Sequence, residues 1–121
     1  MKTMIEINEI IKLSNPTEEV DKRTKYLMTK NPDMTSIKDV ADDTQLDITH
    51  VCEFTDVNKD GVPVNITTLL DKNGNVYATQ SSTFKECFGD ILSIFDGEDV
   101  SIVKKNGTTK AGRDFVYCTL A

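Results

Sequence analysis

From Val62 to Leu70 the apolar residues Val62, Val64, Ile66 and Leu70 fall at every second position with Thr68 in step, the period of a strand with one dry face. The run breaks at Asp71-Lys72-Asn73-Gly74-Asn75, where Asn-Gly favours a hairpin turn, and Val76 to Thr79 reads as the return strand. Thr83-Phe84-Lys85-Glu86 then has capping-box spacing. Phe84, Cys87, Phe88, Ile91, Leu92 and Phe95 follow at i, i+3, i+4, i+7, i+8 and i+11, one apolar stripe on one helix that ends at Gly97. Strand pattern returns with Val100 and Ile102 and, after a Gly-containing hairpin, with Phe115 to Leu120. Upstream, Leu46, Ile48, His50, Cys52 and Phe54 alternate with mostly polar residues and predict one further strand.

Five strands with a helix between the third and fourth is the order of an oligonucleotide/oligosaccharide-binding (OB) barrel, so the expected class is mainly β. Ahead of it, Thr3-Met4-Ile5-Glu6 has capping-box spacing, and Met4, Ile7, Ile10 and Ile11 make a helix face, although Ile5 and Ile7 also allow a strand. Asn15-Pro16-Thr17-Glu18 signals a second helix running to about Lys30, before Asn31-Pro32. Residues 1–35 are therefore read as a helical extension packed on the barrel or on a partner, and residues 36–121 as the barrel. Ile37 and Val40 are pins from an otherwise polar connection.

The hairpin register carries the functional reading. A three-residue loop with Gly74 left-handed sets Leu70 opposite Val76, Leu69 opposite Tyr77, Thr68 opposite Ala78 and Thr67 opposite Thr79. Ile66, Thr68, Leu70, Val76 and Ala78 then form the core face. The other face, Asn65, Thr67, Leu69, Tyr77 and Thr79, would show water an aromatic ring among hydroxyls and an amide. In the last strand, Val116, Cys118 and Leu120 facing inward would turn Phe115 and Tyr117 outward. With Phe54 these make four candidate aromatic platforms. Stacking on such rings is worth roughly 1 to 3 kcal/mol per base and tolerates any base.

Composition changes this picture little. At 121 residues, 38% hydrophobic and 28% charged, the chain is an ordinary single domain. It has no apolar run of membrane-spanning length and no basic-plus-apolar leader, so a cytosolic location away from membranes is expected. Cys52, Cys87 and Cys118 are odd in number and far apart, as buried reduced thiols rather than a metal site or disulfide framework. Net charge is −6, yet residues 99–121 carry four cations against two acids, and Lys104, Lys105, Lys110 and Arg113 surround the final hairpin. A local basic edge of that kind, with Lys72 in the earlier turn, can hold phosphates on an acidic protein.

Other motifs fail on their own chemistry. Asp56-Val57-Asn58-Lys59-Asp60-Gly61 opens like a calcium loop, but the twelfth position is Thr67, where a bidentate carboxylate is required. His50, the only histidine, has no partner nucleophile in the sequence. The Asn65 and Asn106 sequons lack an export signal.

The stretch Ile66 to Ala78, the helix end Asp90-Ile91-Leu92-Ser93-Ile94-Phe95, and Lys110-Ala111-Gly112-Arg113-Asp114-Phe115-Val116-Tyr117 resemble the single-stranded DNA-binding proteins of protein-primed phages of the phi-twenty-nine type. The resemblance spans roughly residues 46–121 and leaves the N-terminal third unmatched. It implies a barrel that coats displaced single strands during phage replication, with Tyr77 at the position of a stacking tyrosine and Phe54 in place of another. With the last strand reaching Leu120, an acidic tail of the kind with which cellular single-strand binders recruit partners is not expected.

The first expectation is thus a sequence-tolerant single-stranded DNA binder without metal or cofactor. Its contacts would be Tyr77, Phe115, Tyr117 and Phe54 under bases, with Thr67 and Thr79 beside them, and Lys72, Lys104, Lys105, Lys110 and Arg113 on phosphates. The alternative is a protein-interaction module whose N-terminal helices bind a replication or host protein or a second copy. No catalytic constellation can be assembled, so an enzyme is not expected.

Overall fold

A computed structural model describes residues 6–121. Glu6–Lys12 is a strand, β1, so the first expected helix is corrected for the residues that can be seen; its Thr3, Met4 and Ile5 lie outside the described residues. The alternation of Ile7 with its neighbours wins because β3 offers β1 a free edge: Ile10 pairs with Cys52 and Lys12 with His50. The second helix is also shorter than expected. Asn15 makes a turn instead of a cap, accepting from the Thr17 hydroxyl while Glu18 N–H bonds its carbonyl. Helix α1, Lys22–Thr29, starts at Asp21, whose carboxylate accepts from Thr24 N–H at 2.8 Å. Residues 6–32 are therefore one strand and one short helix, not a helical extension.

The remaining order is β2 (Thr35–Ser36), a 3-10 turn at Ile37–Asp39, β3 (Gln45–Val57), β4 (Pro63–Asp71), β5 (Val76–Thr79), α2 (Ser82–Ile94), β6 (Val100–Thr108) and β7 (Asp114–Leu120). Among the described residues these form one seven-stranded sheet, β2-β5-β4-β3-β6-β7, with β1 also on β3. The five expected strands are β3 to β7. With β1 and β2 added, α2 lies between the fifth and sixth strands of seven. No pairing joins β7 back to β5 or β2 among the described residues, so the sheet is a curled half-barrel, not a closed barrel.

Local chemistry explains the elements that match. The β4–β5 hairpin has the expected register, Leu70 with Val76 through Thr67 with Thr79. Its loop is tied by Asp71, whose carboxylate accepts from Asn73 N–H and Asn75 N–H at 2.9 and 2.8 Å, and Gly74 takes φ +88°. Helix α2 begins two residues earlier than the capping box, at Ser81, whose hydroxyl accepts from Phe84 N–H. Its stripe packs into the inner core of the curl with Leu46, Ile48, Val51, Leu69 and Ile102.

The faces of β3 and β4 are where periodicity misleads. A bulge at Thr49 interrupts the β3–β4 register between Ile48 and His50. One extra residue inverts the parity. Leu46 and Ile48 face the inner core, whereas Cys52 and Phe54 join Met28, Leu70 and Val76 in a second core under α1. Both faces of β4 are thus covered, and residues 67–71 are buried without a break.

Candidate nucleic-acid interface

On the β6–β7 hairpin, Val116 and Cys118 turn inward against the core and Phe115 and Tyr117 take the other face, as alternation predicts. Leu120 departs from that pattern, with half its surface in water. Phe115 and Tyr117 are half-buried, their ring centroids 5.7 Å apart and their planes tilted by 33°. Across the ladder Phe115 faces Gly107 and Tyr117 faces Lys105. The absence of a side chain at Gly107 is what allows the Phe115 ring to lie down on β6: a Cβ there would stand 2.8 Å from both Cε atoms. Lys110 and Arg113 are exposed at the tip of the same hairpin, where Gly112 takes φ +83°.

Lys105 donates to the carboxylate of Asp43, which holds its ammonium above the usual lysine range. Asp43 itself stands at φ +65°, and its neighbour Asp42 accepts from Asn106 N–H at 2.8 Å. An acidic loop therefore leans on the cationic edge. Beyond Phe115, an open cleft of about 1110 Å³ separates the hairpin from the end of β5, with Gly107 and Phe115 on one wall and Lys38 and Thr79 on the other.

The other expected contacts lie elsewhere. Phe54 is 2% exposed in the core beneath α1, so it offers no platform. Thr67 is buried as well, and Thr79, though also buried, edges the cleft opposite Phe115. Lys104 is fully buried, its ammonium donating to the Val40 carbonyl at 2.7 Å, and it cannot meet a phosphate. Tyr77 does not project into water from an open face. It packs half-buried against the inner core, its hydroxyl 3.4 Å from the Asp71 carboxylate, and burial pushes its phenol up. Lys72 pairs with Asp47 at 3.2 Å, and Asp47 accepts from Ser101. Ser101 is six residues along β6 from Gly107, so Lys72 sits roughly 20 Å from the Phe115 platform. The structure therefore brings together Phe115, Tyr117, Lys105, Lys110 and Arg113.

The thiols and His50 have structural settings. Burial raises Cys52 to about 11 and Cys118 to about 12, and lowers His50, whose Nδ1 lies 2.8 Å from the Thr49 hydroxyl. The turn after β3 closes on Asn58, whose side-chain oxygen accepts from Asp60 N–H and Val62 N–H.

A family model described as phage single-stranded DNA-binding protein matches residues 5–121. The match includes the N-terminal third that the sequence motifs left unassigned. No curated relative and no solved structure matches the chain.

Proposed function

We propose, from the premise that this chain belongs to the family of phage single-stranded DNA-binding proteins, that it coats and protects single strands during phage DNA replication without reading their sequence. The half-barrel supports an OB-type reading, since β3 to β7 follow one another as the five strands of that barrel with the helix before the fourth. The observation that carries the reading is the Phe115–Tyr117 pair, with Lys105 across the ladder and Lys110 and Arg113 at the tip.

The chemistry follows from those groups. Each ring offers a π-face to a base and no pattern of donors to its edge, so every base is accepted. The cations neutralise phosphates and release counterions. Three such contacts contribute roughly 2 to the slope of log K against log salt, at about 0.7 per phosphate on single strands. Lys105 must exchange Asp43 for phosphate. The pair is solvent-exposed and screened by salt, so the exchange is cheap.

Fluorescence anisotropy with labelled oligo-dT at two salt concentrations tests this. Binding should weaken with salt, and Phe115→Ala or Tyr117→Ala should weaken it further at constant salt. Phe54→Ala should instead lower stability by about 3 to 5 kcal/mol through the cavity it leaves. Absence of binding at low salt would refute the proposal.

A further inference from the structure

Resting on that reading, we infer that α1 is a second contact for the single strand, in which Tyr26 stacks a base and Lys22 and Lys30 hold phosphates on either side of it. Tyr26 is 55% exposed, among the most exposed large apolar residues of the described chain. Lys22 precedes it by four residues and Lys30, the C-terminal cap, follows it by four; all three are exposed. On a helix that spacing puts them in one row, with neighbouring side chains about one turn apart. Arg23 is exposed beside the row. The far side of the helix carries the fully buried Met28, with Leu27 half-buried at its flank, into the core formed with Cys52, Phe54 and Leu70, so the docked face and the free face are distinct.

The charge on this row is not explained by the fold. Helix α1 contains no acid, and among the described residues none of Lys22, Arg23, Lys25 and Lys30 lies within ion-pair distance of a carboxylate. The adjacent acid, Asp21, accepts from Thr24 N–H, and its attraction to Arg23 is only a minor part of what holds it low. Lys22 and Arg23 also stand in the first turn, where the helix dipole disfavours cations. On a chain of net charge −6, a helix that concentrates unpaired cations around an exposed aromatic ring is complementary to a polyanion with flat bases. The helix is held firmly enough to present them: the Thr68 hydroxyl donates to the Met28 carbonyl at 2.7 Å.

Equilibrium binding of the full chain to labelled oligo-dT across a salt series decides it, with Lys22→Ala/Lys30→Ala, Tyr26→Ala and Tyr26→Phe alongside Phe115→Ala. The double lysine variant should lower the magnitude of the salt slope by about 1.4, the value for two phosphates on a single strand. Tyr26→Ala should raise Kd roughly tenfold, and Tyr26→Phe, which keeps the π-face, should restore it. Wild-type slope in the lysine variant together with wild-type Kd in Tyr26→Ala, while Phe115→Ala still weakens binding, would overturn this inference alone. A wild-type chain that fails to bind oligo-dT would overturn it together with the function it rests on.

Discussion

The Phe115 ring lies flat over the Gly107 backbone on the neighbouring strand, in space that any side chain at position 107 would occupy. Gly107 has no left-handed torsion to protect, so a Gly107→Ala change acts on the ring rather than on the strand. The ring must lift or swing away from Tyr117. Gly107→Ala should weaken oligo-dT binding several-fold with little change in thermal midpoint. Unchanged affinity would mean that the flat ring position is irrelevant to binding.

Asp43 holds the Lys105 ammonium, so a phosphate bound at Lys105 would have to displace it. Replacing it with asparagine removes the competing charge, and asparagine tolerates the left-handed backbone at φ +65°. Asp43→Asn should therefore tighten single-strand binding, most clearly at low salt where exposed charges are least screened. Anisotropy titrations of both forms at two salt concentrations would show it, and weaker binding by the variant would count against Lys105 as a phosphate contact.

The end of α1 depends on a residue forty positions away. The Met28 carbonyl would normally receive an N–H from four residues on, but that residue is Pro32 and has none; the Thr68 hydroxyl supplies the bond. Thr68→Val keeps the shape and leaves a buried carbonyl unpaired. It should cost about 1 to 3 kcal/mol in urea denaturation. A loss well below that would mean water replaces the hydroxyl.

Asp47 is held at about 2, below its ordinary 3.8, by hydrogen bonds from Ser101 and Gln45 and by Lys72. A carboxyl group whose folded value is depressed stabilises the fold above its unfolded value, and that contribution disappears as pH falls through the folded value. The stability difference between wild type and Asp47→Asn should be full at neutral pH and shrink between about pH 4 and pH 2. Urea midpoints across that range measure it; a difference that does not change with pH would assign the role of Asp47 to packing.

What the chain order alone determined was everything that local chemistry controls. The β4–β5 register follows from Asp71 and Gly74, the α2 stripe from a 3.6-residue period, and the outward turn of Phe115 and Tyr117 from alternation on β7. Linear charge counting found the hairpin cations but hid those of α1, because their total was taken together with the acids of residues 1–60. Tertiary structure decided which faces are dry. Alternation reports only that two faces differ; it cannot say that α1 covers one and the curl of the sheet the other, nor that a single extra residue at Thr49 exchanges them. Phe54 and Thr67 were lost to the interior for that reason, and Lys104 because it stands in step with Val100 and Ile102 on the buried face of β6. The partners that bury or satisfy them, such as the Val40 carbonyl 64 residues from Lys104, are close only after the chain has folded.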